Sequence, residues 1–296
     1  MWQWNFGYSE GAVELFTQQC FQAIGSLHGH FVHPLTPAEK EVEKQWIDDK
    51  VGFWGLWREG WVMYDGMITP LHTKPGYNGD AYYTCKSNYR LNIQVICCDC
   101  LRMAWLTIIQ IDSVPSNLCT VDYVHGFTGL THDTTVFEHS AAVKYEVWFF
   151  DGEEFAWTDS AYGMSPWSIP VHKEPASWLW SNTIFDAQVS QLWAQSEHCI
   201  GELKGWFQCL CGLRVSINSY KDHVHALQWI TVAIILHNLI IDVKARLNGI
   251  VAIGGVVEEE HQVREYDNAL GEAKWKYLVA ELICFKYGRE LVAQDM

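Results

Sequence analysis

Positive charge is what this sequence lacks most. Twenty Lys and Arg stand against thirty-five Asp and Glu in 296 residues, a formal charge of −15. Phosphate binding ordinarily rests on a Lys/Arg surface, so a nucleic-acid partner has to be argued against this deficit. No N-terminal stretch reads as a secretory leader either: Met1-Trp2-Gln3-Trp4-Asn5 offers neither a basic start nor a continuous apolar run. No apolar run reaches the ~18 residues of a membrane span. The most apolar segment, Ile230 to Ile241, is broken by His237 and Asn238. The expectation is a soluble intracellular chain with no membrane partner. A complete metal-type set of cysteine pairs is absent too. Cys97 and Cys100 have C-x2-C spacing, with Cys98 between them, but no matching His or Cys pair follows. With 49% hydrophobic residues the chain can bury a full core. Its ten cysteines therefore read as free thiols rather than a disulfide framework, with zinc on the three as the alternative.

What is present is a mixed pattern of helix and strand. Gly11 to Ile24 reads as a helical lead-in, followed by a loop rich in His and Pro. Thr36 suits an N-cap, Pro37 the first helical position and Glu39 the N3 position of a charged helix running to about Lys50. Trp61 to Ile68 reads as a buried strand, Tyr82 to Val95 as further strand, and Phe155 to Thr158 as a short strand running into Asp159. Phe185 to Leu210 and His223 to Arg246 read as long helices. After Gly249 come a Gly-rich hinge and an acidic, finally helical tail. The order predicts a mixed α/β sheet flanked by helices. The expected organisation is a lead-in at 1–39, a main domain at 40–247 and the tail at 248–296.

Two acids stand at strand ends, where a carboxylate is costly to bury without a partner. They are Asp65, in an apolar strand, and Asp159. A turn or cap role is the plain alternative for each. A third acid comes from the long helix. At roughly 100° per residue, Leu192, Ser196, Cys199, Ile200, Leu203, Phe207 and Leu210 form a core stripe. Glu197 lies at its edge with Trp193, Lys204 and Cys211, while Glu202 lies on the opposite flank and reads as solvated. Three converging carboxylates make an oxygen-rich site suited to Mg²⁺ or Mn²⁺. Two such ions support an in-line displacement at phosphorus.

The words around these acids are specific. Val62-Met63-Tyr64-Asp65-Gly66-Met67 resembles the D-G-T strand of the Harbinger-type DDE transposases, or DDE superfamily endonucleases. Lys86-Ser87-Asn88-Tyr89-Arg90-Leu91-Asn92-Ile93-Gln94 resembles their K-S-N-Y-x-L-N-V-Q strand. Gly126-Phe127-Thr128-Gly129-Leu130-Thr131-His132-Asp133 is similar to their G-x-x-G-S-x-H-D turn, and Asp159-Ser160-Ala161-Tyr162 to D-S-A-Y. Glu197 to Gly205 is similar to the E-x-x-x-G-x-L-K-G helix, and Leu236-His237-Asn238 to the terminal L-H-N. The words keep the family's order over about residues 40 to 245, and fungal members are the most similar. The resemblance implies a ribonuclease H-like fold, DNA as substrate, two divalent ions (Mg²⁺ or Mn²⁺), nuclear location, and Asp65, Asp159 and Glu197 as catalytic and metal-binding triad. Asp133 is a rival second metal ligand, though a cap of the helix expected from Asp133 to Val143 accounts for it. Lys86, Lys204 and Arg214 are candidate DNA contacts.

The departures from the family pattern are also specific. Where the family's helix reads S-R-x-R-x-R-S-E-H, this chain has Ser190-Gln191-Leu192-Trp193-Ala194-Gln195-Ser196-Glu197-His198. Trp206, Cys211, Cys85 and Cys119 likewise stand at arginine positions, and Met67 at a threonine position. Each is one C-to-T change from the family codon on one strand or the other, the mark expected of cytosine deamination in a silenced repeat. Trp206, if exposed, could stack on bases. Val95 to Gln110 adds sixteen residues that the family lacks and is expected to be a translated in-frame intron, with a real loop or strand carrying the three cysteines as the alternative. Transcript reads joining Gln94 to Ile111 would support this. Gly11 to Leu27 is at most the last helix of a helix-turn-helix region, so a separate DNA-reading partner is expected. The competing expectations are a catalytically inactive relic or domesticated binding protein of the same fold, and a zinc module on the cysteines.

Overall fold

The computed structural model describes Gly7, Gly79 and residues 9–77, 90–92, 109–113, 115–125, 138–247 and 268–288. Helices α1 (Glu10–Gly25) and α2 (His28–Phe31) lead into α3 (Pro37–Val51). The last is opened by a complete capping box, in which the Thr36 side chain meets the Glu39 backbone and the Glu39 carboxylate meets the Thr36 backbone. Six strands follow: β1 (Gly60–Pro70), β2 (Arg90–Asn92), β3 (Ile109–Ser113), β4 (Thr120–Val124), β5 (Phe155–Thr158) and β6 (Ser168–Pro170). Short helices α4 (Ala141–Lys144) and α5 (Glu146–Phe149) precede β5. Long helices α6 (Trp180–Trp206) and α7 (Tyr220–Leu247) follow β6, and α8 (Asn268–Tyr287) comes last.

The sheet runs β4-β3-β1-β5-β6, with β2 also pairing to β1. β3 and β4 are antiparallel, whereas β5 and β6 run parallel to β1 and to each other. The mixed α/β expectation therefore holds. Strand alternation explains the two faces of β1. Met63 packs with Trp157, Phe185, Val189 and Leu192 on the α6 side, while Val62 and Tyr64 pack with Phe149, Phe150 and Ala156 on the other.

Two readings change once the packing is seen, and others fall outside the described residues. The long helix starts at Trp180 and stops at Trp206, and Gln208–Cys211 continues as a 3-10 turn, so Leu210 is buried but not α-helical. Of the strand expected over Tyr82 to Val95, only Arg90–Asn92 lies within the described residues. Asp133, Lys86, Cys85, Cys97, Cys98 and Cys100 lie outside them. The helix of the expected tail is part of the main core. Leu278 and Leu282 pack among Ile47, Trp57, Met63, Trp157 and Phe185, and Trp57 Nε1 donates to the Leu278 carbonyl at 3.0 Å. The lead-in also packs on the main body, with Phe21 edge-on to Trp229 of α7 at 4.9 Å. Helix α7 is long and apolar enough by composition to cross a membrane, but its Ala226, Ile230, Ala233, Ile234 and Ile235 line the sheet-side core.

The closeness of α8 depends on Gly271. A Cβ there would stand 2.7 Å from the Ser165 carbonyl carbon and 3.0 Å from its Cα, backbone atoms that cannot swing aside. Gly271→Ala is expected to lower stability by roughly 1–3 kcal/mol, the range of overpacking. That cost outweighs the ~1 kcal/mol that alanine gains in a helix. Urea unfolding of the variant checks this, and a variant as stable as the parent would contradict the packing.

Candidate functional site

Register places the first two acids. β1 and β5 are parallel, with Met63 opposite Trp157 and Tyr64 opposite Thr158. The next residues along are Asp65 and Asp159. Asp159 follows the end of β5, whereas Asp65 lies midway along β1 and not at the strand end expected from the sequence, and the two stand at the same level, about one strand spacing (~4.8 Å) apart. Each is fixed locally by an N–H of the following residue. Gly66 N donates to Asp65 Oδ1 at 2.7 Å, and Ser160 N donates to Asp159 Oδ1 at 2.6 Å.

Helix α6 supplies the third acid from above the same face. Met63 meets Val189 and Leu192, and Met67 meets Cys199 and Leu203, so Asp65, between the two methionines, lies beneath Ser196. Ser196 is fully buried. Its hydroxyl comes near enough to favour the charged Asp65 carboxylate, yet forms no hydrogen bond of good geometry. Glu197 is the next residue and is exposed. The helix is held in this position at two points. Trp193 Nε1 donates to the Tyr64 carbonyl at 3.2 Å, and Lys204 Nζ to the Ile68 carbonyl at 3.0 Å.

Electrostatics report the same convergence. The Asp65 carboxyl is pushed up to about 7, chiefly by burial, with the negative charges of Glu197 and Asp159 adding to the rise. The Gly66 N–H and Ser196 hydroxyl oppose the shift without cancelling it. Of the two other acids of the helix, Asp186 meets His172 at 2.8 Å, and Glu202 turns away and pairs with Lys244 of α7 at 3.2 Å. Among the described residues, no three His, Cys, Asp or Glu side chains close into a ready-made metal cluster. The three acids therefore share one face and one field without already touching as ligands.

The donor set is all oxygen: three carboxylates beside the buried Ser196 hydroxyl. Such a set fits a hard divalent cation, and a cation there would offset the like charges that burden Asp65. Of the candidate DNA contacts, Lys204 is turned inward to Ile68, and Arg214 is exposed near the end of β1, next to the Leu71–Leu213 bridge. Trp206 is half-buried, with Lys244 Nζ 4.0 Å from its ring centroid.

Sequence reasoning missed how the L-H-N word works. Asn238 is buried, and its Oδ1 accepts from Thr120 N at 3.0 Å. Its Nδ2 donates to the carbonyls of Thr120 at 2.6 Å and Phe31 at 2.7 Å. The His237 ring meets the Leu118 carbonyl at 3.0 Å. The word clamps β4 to α7 and is not at the acids. An Asn inside the most apolar run of the chain was the available signal, since a buried amide demands partners.

Residues 64–238 match the family model described as DDE superfamily endonuclease. That span opens one residue before Asp65 and closes on Asn238. The comparisons with curated proteins and with solved structures return no match.

Proposed function

Because the chain belongs to the DDE superfamily endonucleases, we propose that it is a transposase-derived, divalent-metal-dependent DNA endonuclease using Asp65, Asp159 and Glu197. One observation carries the reading: Asp65, midway along β1, and Asp159, just past the end of β5, follow adjacent parallel pairs in register, beneath the helix that bears Glu197. Three antiparallel strands continued by two parallel ones support the ribonuclease H-like version of the fold.

Asp65 and Asp159 would hold Mg²⁺ or Mn²⁺ from the sheet side and Glu197 from the helix side. When bound, two such ions activate the attacking oxygen and stabilise the leaving oxygen at phosphorus. The chain's own residues supply placement. The Gly66 and Ser160 N–H groups orient one oxygen of each aspartate and leave the other free. Trp193 and Lys204 fix the helix on β1, and with it the approach of Glu197. Buried Ser196 sets its hydroxyl over the Asp65 carboxylate.

DNA is the substrate that the family and the site imply, with a separate DNA-reading protein and a nuclear setting as further parts of the proposal. The second reading, a catalytically inactive relic or binding protein of the same fold, is favoured by charge. Between Gln188 and Cys211 the only Lys or Arg is Lys204, which bonds the Ile68 carbonyl. Removing one phosphate-binding cation from a surface lowers the salt slope by roughly one.

Nicking of supercoiled DNA in Mg²⁺ or Mn²⁺ separates the two readings. The parent chain should nick, and Asp159→Ala and Glu197→Ala should each fall by far more than the roughly 10–100-fold typical of outer-shell losses. A folded parent that nicks in neither metal would leave the inactive reading standing.

A further inference from the structure

Along β1 from Met63 to Pro70, the antiparallel partners are Ser113, Asp112, Ile111, Gln110 and Ile109, then Asn92, Leu91 and Arg90. The partner number falls by one at each step and jumps once, between Ile109 and Asn92. At the jump no β1 residue is skipped and none is shared: Met67 faces Ile109 and Ile68 faces Asn92. Consecutive residues of a strand have Cα atoms ~3.8 Å apart. Partners of two consecutive β1 residues therefore stand where consecutive residues of one strand would.

We propose that β2 and β3 are two halves of a single eight-residue strand, split by a sixteen-residue insert, 93–108, that its pairing with β1 does not need. The sequence carries an independent sign. Ile93-Gln94 is repeated as Ile109-Gln110, so removing 93–108 or 95–110 leaves the same chain, Leu91-Asn92-Ile-Gln-Ile111-Asp112. The break lies two positions from the site, because Ile111 faces Asp65 and the jump falls between the partners of Met67 and Ile68. The chain can carry such an insert because closing a longer loop costs little extra entropy. Removing it joins two short strand pieces into one cooperative element beneath the acids. Cys97, Cys98 and Cys100 would leave with the insert, so no role in the fold or the site falls to them.

The inference goes beyond the endonuclease reading and is tested without it, by folding. Three variants of the full chain suffice: deletion of 93–108, deletion of 93–107, and replacement of 93–108 by sixteen Gly/Ser residues. Deleting sixteen should give a cooperative melt at or above the parent's temperature. Deleting fifteen leaves one extra residue at the junction, which must either bulge or turn one half of the strand to the wrong face, so that variant should melt below the first. The Gly/Ser replacement should melt with the parent. The proposal is overturned if the sixteen-residue deletion fails to fold or melts below the parent, if it melts no higher than the fifteen-residue deletion, or if the Gly/Ser chain does not fold.

Discussion

At pH 8, Asp65→Asn is expected to melt at a higher temperature than the parent while nicking no DNA. The Asp65 carboxyl stands at about 7 in the folded chain against 3.8 for an ordinary aspartate, with burial as the first cause and the charges of Glu197 and Asp159 behind it. The sign follows from linkage. Between pH 4 and 7 the folded chain keeps this proton and the unfolded chain has lost it, so stability falls as pH rises through that window. At 1.36 kcal/mol per pH unit the charged group costs at most about 4 kcal/mol above pH 7. Asparagine never ionises and avoids that cost. Its advantage should be largest at pH 8, shrink through pH 6 and vanish near pH 4. Mn²⁺ should raise the parent's melting temperature by binding the folded state, and should do so far less for the variant. An Asp65→Asn chain that melts below the parent at pH 8 would remove the case for a strained carboxylate.

Asn238→Leu is expected to be the most damaging single substitution outside the acids. Leucine keeps the branching of asparagine, but its methyl groups are bulkier than the amide and cannot bond, so lost hydrogen bonds are joined by overpacking at a buried site. Three backbone groups lose their side-chain partner: Thr120 N, Thr120 O and Phe31 O. Each buried polar group left unmatched costs about 1–3 kcal/mol. A total on the order of 4–6 kcal/mol would approach the whole stability of an ordinary domain, about 5–15 kcal/mol. Asn238→Asp should fare no better, because a carboxylate can accept from Thr120 N but has no N–H for either carbonyl. Urea unfolding measures both. Agreement with the parent to within about 1 kcal/mol would show that β4 does not depend on this clamp.

Much of the fold was legible because its signals are local. The Thr36 and Glu39 box, the apolar β1 and the run from Phe155 to Thr158 need only neighbouring residues to be read. The choice of Glu197 over Glu202 followed from helical period, and Asp65 does feel Glu197 while Glu202 pairs with Lys244. What stayed hidden depends on distant partners. Helix α3 reads as a charged, solvated helix, yet Lys40, Glu43 and Asp48 are buried. Lys40 is matched by Glu154 at 2.8 Å and Asp151 at 3.0 Å, more than a hundred positions on. Glu43 accepts from Ser116 N at 2.9 Å, and Asp48 from Arg58 at 2.9 Å. Nor could the apolar residues of α8 announce their core role, because the Gly-rich and acidic stretch before them gives no hint of a return to the sheet. The adjacency of Asp65 and Asp159 likewise came only with strand register.

That return has a consequence for the order of events on the ribosome. The cluster around Trp57 draws on Ile47, Met63, Phe155, Trp157, Phe185, Leu278 and Leu282. Its first member is therefore synthesised more than two hundred residues before its last, and at about 5–20 residues per second the wait exceeds ten seconds. Through that interval Trp57 lacks Leu278, and the Asp65 face of β1 lies over an unfinished core. The protein has no intermediate length at which this layer is complete, so the layer can close only after α8 has emerged.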